Sequence, residues 1–235
     1  MKFSYQQQEA RYQRLRSLGR AVDYAGESFD NFDLRPFLEE VLPGLTFSTD
    51  HPRALEYGTG TGPGACFLSA RGFQVDAIDI SPTAIDLARK FAAQRSLRIH
   101  YEVQDICHLR GRQERYELVV DSFCLHRLIT DEQRRNALAV VRSVLIPKGY
   151  YVIGTVIFQN ARSLSEDEKY DETTGILFRQ LGADSQGYED AVQRSGVWYA
   201  PRARHVDPKV LESELVQAGF QVLRQDGGKV LCGTA

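Results

Sequence analysis

Four glycines, Gly58, Gly60, Gly62 and Gly64, follow a short apolar run (Ala54, Leu55, Tyr57), and the next apolar run ends in an acid, Asp79. Glycines at alternate positions let a backbone turn through positive φ and let a ligand lie against the main chain with no Cβ in the way. A carboxylate about twenty residues beyond such a turn is placed to accept both hydroxyls of a ribose. The chemistry these residues offer is recognition of a nucleoside-containing ligand. Only a strand, a glycine turn, a helix and a second strand can bring them together, so Ala54 to Asp79 is read as a βαβ unit.

Glycine spacing leaves the nucleoside open. Gly60-Thr61-Gly62-Pro63-Gly64-Ala65 satisfies the dinucleotide pattern G-x-G-x-x-G/A, and Asp79 stands where an NAD enzyme would use it. Glu56 argues otherwise, because a carboxylate expected to face the cleft suits a cation better than a pyrophosphate. With Glu56 included, the run is E-x-G-x-G-x-G, and here the sequence resembles a class I S-adenosylmethionine-dependent methyltransferase. The resemblance continues in order through Asp79-Ile80-Ser81, Gln104-Asp105-Ile106, Tyr116 to Asp121, Leu145-Ile146-Pro147-Lys148-Gly149-Tyr150 and Leu215 to Phe220. Lys148 replaces a glycine of the family's turn into its fifth strand.

Alternating strands and helices call for a mostly parallel sheet with helices on both faces. The resemblance implies more: a three-layer α/β/α sandwich around a seven-stranded sheet of order 3-2-1-4-5-7-6, its last strand, Val230 to Gly233, antiparallel. It divides the chain into an N-terminal helical lid (1–50) and a methyltransferase domain (51–235) with a cover insertion at 159–206.

Within that frame, a polar helix is expected over 4–19, striped by Tyr5, Tyr12, Leu15 and Leu18, with Tyr12, Arg16 and Tyr24 near the cofactor. Further helices are expected over 33–42, 63–70, 131–145 (capped by Asp131) and 209–218, with Ser81-Pro82 starting another. Strand five is read as 150–158. The insertion is too long for a structureless loop, so helices are expected at 166–170 and 176–181.

The resemblance implies a cofactor site of Glu56, Gly58, Thr59, Gly60, Gly62, Asp79, Ile80, Asp105, Ile106, Asp121 and Tyr24. Asp79 would take the ribose, Asp105 and Ile106 the adenine, and Asp121 the sulfonium end or merely its strand's terminus. Methyl transfer from a sulfonium needs mostly positioning, and a base only if the nucleophile arrives protonated. His126 is the best placed base; the alternative is a hydrogen-bonded structural histidine. Trp198, Tyr199, Arg202, Arg204 and His205 form an aromatic-basic cluster that could line an acceptor pocket or bind a carboxylate, or simply pack Trp198 into the domain. The expected reaction is methylation of a small molecule by S-adenosylmethionine. Three alternatives stand beside it: cyclisation of the cofactor to azetidine-2-carboxylate with release of methylthioadenosine, NAD-dependent oxidoreduction, and non-catalytic cofactor binding.

Composition narrows the partners. A net charge of −2 over 235 residues gives no general pull toward nucleic acid or anionic membrane. Cys66, Cys107, Cys124 and Cys232 form no C-x-x-C pair, so they read as reduced thiols and no metal site is expected. Neither an apolar leader nor a stretch of membrane-spanning length is present in the sequence, and a cytoplasmic monomer or homodimer is expected.

Overall fold

Seven strands build the central sheet, and the inner ones, Arg53–Tyr57 and Tyr116–Ser122 above all, are buried on both faces while the edge strands are not. In the computed structural model, which describes residues 8–21, 28–109, 116–158, 164–182 and 188–235, the seven are β1 (Arg53–Tyr57), β2 (Gln74–Asp79), β3 (His100–Val103), β4 (Tyr116–Ser122), β5 (Leu145–Gly154), β10 (Gln221–Asp226) and β11 (Lys229–Gly233). Their order is β10-β11-β5-β4-β1-β2-β3, parallel except where β11 runs against both β5 and β10. This is the expected topology, the two last strands taking the places of six and seven.

Side-chain alternation along each strand sorts the core into two layers. Leu55, Tyr57, Val119 and Ile153 face α5 (Asp131–Val144) and α6 (Pro208–Gln217), which contribute Leu138, Val141, Leu211 and Leu215. Ala54, Leu118, Val120 and Val152 face α2 (Arg35–Val41), α3 (Pro63–Ser69) and α4 (Pro82–Gln94), which contribute Leu38, Leu68 and Ile85. A strand end such as β1 is therefore immobilised from both faces, and the loop leaving it inherits that rigidity.

Caps set the helix starts. Ser81 accepts a hydrogen bond from Ala84 N and Asp207 one from Lys209 N, as their positions before Pro82 and Pro208 imply. For α5 the cap is Thr130 rather than Asp131. Thr130 Oγ1 takes Gln133 N while Gln133 reaches back to Thr130 N, a reciprocal capping box that leaves Asp131 free for another partner. β5 begins at Leu145 and ends at Gly154, earlier than expected, with Lys148 at φ +60° inside its bulged first half.

The insertion corrects the sequence reading most. Where helices were expected at 166–170 and 176–181, the chain forms β6 (Glu168–Asp171) and β7 (Ile176–Gln180), which join β8 (Val192–Arg194) and β9 (Val197–Arg204) in a second antiparallel sheet of order β6-β7-β9-β8. Two turns decide it. Asp171 accepts from Thr173 N and Thr174 N, and Gly175 closes the turn at φ +72°. Ser195 and Gly196, both at positive φ, make the two-residue hairpin between β8 and β9.

One polar helix, α1 (Gln8–Ser17), lies against α4. Its single buried residue is Leu15, so apolar burial alone does not hold it. Glu9 does, taking Ser81 Oγ at 2.5 Å, Thr83 N at 3.2 Å and Thr83 Oγ1 at the start of α4. Tyr5 and Tyr24 lie outside the described residues. No described helix is long and apolar enough to cross a membrane.

Candidate active site

A cavity of about 390 Å³ opens at the carboxyl ends of β1, β2 and β4, where the strand order reverses. Gly58, Thr59, Gly60, Asp79, Ile80, Asp105 and Ile106 line one side of it; His126, Arg202 and His205 line the same cavity. Residues from five separate stretches of sequence thus share one space.

Asp79 is nearly buried, and its carboxylate is fixed by two backbone amides, Gly60 N to Oδ2 and Ser81 N to Oδ1, each at 2.9 Å. Burial pushes its pKa up while these two bonds hold it down. The glycine loop is tight. Gly58 has φ +62°, and a Cβ there would collide with Cys124. Gly60 has φ +55°, and a Cβ there would stand 2.7 Å from the Tyr12 hydroxyl. A loop with glycine at alternate positions beside an oriented carboxylate, with Ile80 and Ile106 as apolar neighbours, fits a nucleoside. Asp105 is itself held, accepting Cys107 N at 2.9 Å and facing His108 Nδ1 at 2.9 Å.

Glu56 does not face the cavity. Its side chain turns under the loop, accepts a hydrogen bond from Thr59 Oγ1, and fills the space a Cβ on Gly64 would need. Burial pushes its pKa up to about 8. Even-numbered residues of β1 point toward α3, which is why Glu56 supports the turn instead of meeting a ligand. Gly62 likewise lies off the cavity; its φ of +87° starts α3.

Asp121 also works from beneath. It is fully buried and accepts Tyr57 Oη at 2.7 Å, Cys124 N at 2.6 Å and Leu125 N at 2.9 Å. Tyr57 in turn meets Tyr151 Oη at 2.5 Å. From the opposite side, buried Arg134 donates to Leu125 O at 2.9 Å and is clasped by Glu214 of α6. The Leu125 peptide is therefore gripped at its N–H by an acid and at its C=O by a guanidinium. That grip fixes the loop that presents Ser122, Phe123, Cys124, His126 and Arg127 to the cavity.

His126 is 4% exposed, and its Nδ1 has no hydrogen-bond partner among the described residues. Burial, then the charges of Arg127, His205, Arg134 and Arg11, hold its pKa well below the ordinary value, so the ring is neutral at pH 7. Its centroid lies 6.2 Å from that of His205. Burial pushes the Cys66 thiol up to about 11 and those of Cys107 and Cys232 up to about 12, and raises that of Cys124, which favours the protonated form.

The aromatic-basic cluster is split by its strand. Trp198 is 39% exposed on β9 and is neither packed into the domain nor on the cavity. Tyr199 is buried beneath Lys169, and Arg204 turns away to Asp131 Oδ1 at 2.5 Å and Ile129 O at 3.2 Å. Arg202 and His205 alone of the cluster reach the cavity. Arg11, Tyr12 and Leu15 of α1 also line it, Arg16 does not, and Tyr24 is outside the described residues. Sequence reasoning missed Arg11, Phe123 and Arg127; the positive φ of Phe123 leaves no signal in the chain's residue types.

Residues 54–149 match the family described as "Methyltransferase domain". The chain is 26% identical over 189 residues to the 2-heptyl-1-hydroxyquinolin-4(1H)-one methyltransferase of Mycobacteroides abscessus, covering 71% of this chain and 82% of that one. It is 32% identical over 109 residues to the ubiquinone biosynthesis O-methyltransferase of Coxiella burnetii, spanning 45% of this chain and 44% of that protein. In fold it is similar to the CcbJ methyltransferase of Streptomyces caelestis, with a TM-score of 0.67, 18% identity and 99% of both chains covered. The glycine cradle, the oriented Asp79 and the sheet order agree with these matches, which together support a class I S-adenosylmethionine-dependent methyltransferase.

Proposed function

We propose that the protein transfers a methyl group from S-adenosylmethionine to a hydroxyl-bearing ring compound of small size. The observation that carries this is one cavity in which a nucleoside cradle and a partly apolar chamber are continuous. The names of the two relatives, a hydroxyquinolinone methyltransferase and an O-methyltransferase, support an oxygen acceptor.

When bound, the cofactor would supply an activated methyl carbon for attack by the acceptor oxygen, with the sulfur leaving as the neutral thioether of S-adenosylhomocysteine. The chain's own residues then do the following. Asp79 holds the ribose hydroxyls, while Ile80 and Ile106 cover the base. Helix α1 acts as a lid, held at α4 by Glu9 and reaching Gly60 with Tyr12. Phe123 and Leu128 exclude water on the acceptor side. A neutral His126 takes the hydroxyl proton of the acceptor as the oxygen attacks. Positioning supplies most of the acceleration.

Mass spectrometry of the purified protein incubated with S-adenosylmethionine, with and without cell extract as acceptor, tests this. S-adenosylhomocysteine appearing only with extract is expected. Methylthioadenosine appearing without extract would make the cofactor itself the substrate.

A further inference from the structure

One wall of the cavity is made of two pieces that meet at a seam. Glu168 of β6, Leu177 of β7 and Ala203 of β9 line it from the antiparallel sheet, while Phe123, His126 and Leu128 line it from the loop between β4 and α5. The turn Leu125–Arg127 of that loop packs against β9.

Two arginines cross the seam in opposite directions, each bridging 75 residues of sequence. Arg127 of the loop donates from Nη1 to the carbonyl oxygen of Arg202 at 3.2 Å. Arg204 of β9 donates from Nη1 to the carbonyl oxygen of Ile129 at 3.2 Å and to Asp131 Oδ1. The sheet carbonyl that Arg127 takes lies at a register shift, since Phe178 pairs with Pro201 but Leu177 with Ala203, and a bulge interrupts the ladder locally. Asp131 can serve Arg204 because Thr130 caps α5 in its place. The Arg204 side chain is 17% exposed, so water competes little for it, and its hydrogen bond holds Asp131 below the ordinary carboxylate value.

We propose that Arg204 is a positioning residue: by fastening β9 to the loop that carries His126, it sets the base against the wall on which the acceptor lies. Arg127 completes the bridge from the other side. A base works only within about 3 Å of the proton's oxygen, so a slack seam costs rate. Cofactor binding is spared, because Asp79 and the glycine loop are held by their own backbone bonds. The inference rests on the methyltransferase reading above, with His126 as its base.

The test measures formation of S-adenosylhomocysteine from S-adenosylmethionine with excess cell extract as acceptor, and calorimetric affinity for S-adenosylhomocysteine. Arg204→Gln is expected to slow turnover about tenfold and to keep that affinity within about twofold. Arg204→Lys retains a cationic donor and should recover most of the rate. Asp131→Ala, at an exposed position, cuts the bridge from the loop side and should slow turnover severalfold. Hydrogen exchange at the amides of Arg127 and Leu128, which bond to Cys124 O and Leu125 O, should quicken in Arg204→Gln and be restored in Arg204→Lys. Wild-type turnover in both Arg204→Gln and Asp131→Ala, no recovery with lysine, or parallel loss of turnover and affinity would overturn the positioning role. Unchanged exchange at Arg127 and Leu128 would overturn the bridge itself, with or without turnover. A wild-type protein that forms no S-adenosylhomocysteine with extract would instead overturn the methyltransferase reading.

Discussion

The two sides of the cavity are built by different means. The cofactor side is carried on the ends of parallel strands buried on both faces, and its key carboxylate is aimed by backbone amides. The side proposed for the acceptor includes a four-stranded antiparallel sheet whose β6 and β8 have no fully buried residue and in which Arg202 sits at a register shift of β9. A rim that rests on backbone geometry tolerates little change in sequence. A wall that rests on side chains can change its ligand without touching the core.

The comparison can be broken most severely at the loop joining the two sides. Asp121→Ala leaves Tyr57 Oη, Cys124 N and Leu125 N without their acceptor. A loss of about 3 kcal/mol or more is expected, read as a fall in the thermal midpoint of about 10 °C. Retained stability would mean the loop is held from the Arg134 side alone.

His126→Gln should sharpen the division. It is expected to lower kcat by about 10²-fold, while leaving the affinity for S-adenosylhomocysteine within about twofold. Parallel loss of both would tie His126 to the cofactor side.

Glu56 tests how far the rim depends on a buried acid. Its ordinary pKa is 4.5 and burial raises it to about 8, so between these values the folded protein holds a proton the unfolded chain releases. Stability therefore falls as pH rises through that window. Urea denaturation at about pH 5 and about pH 8 should show this slope, and Glu56→Gln should flatten it. An identical slope in the variant would refute the raised pKa.

The smallest effect is expected at the lid. Glu9→Ala removes the anchor of α1 on α4 and should weaken cofactor affinity by about threefold to tenfold, with a change of about 1 kcal/mol or less in global stability. No change in affinity would show that α1 does not cover the bound cofactor.

The same contrast explains what the sequence made legible. That Gly58, Gly60 and Asp79 stand together at one strand edge is legible in the sequence, because glycine spacing and an acid at a strand end are local features whose geometry follows from the backbone. Glu56 was misplaced because the run E-x-G-x-G-x-G gives its position but the parity of β1 decides its direction, toward α3 and away from the cavity. In the insertion, Ile176 to Leu181 has an apolar density that suits either helix or strand, and the deciding evidence lay in the turns at Gly175 and Ser195-Gly196. Arg202 and Arg204 are indistinguishable by type; a bulge specified by long-range pairing with β7 sends one inward and the other to Asp131.

The central claim, that one cavity holds a cofactor side and an acceptor side carried by separate structures, is tested most directly by calorimetric titration of S-adenosylhomocysteine into the wild-type protein, Asp79→Ala and Arg202→Gln. Binding should fall by about 100-fold or more in Asp79→Ala and stay within about twofold in Arg202→Gln. Comparable losses in both variants would contradict the division of the site.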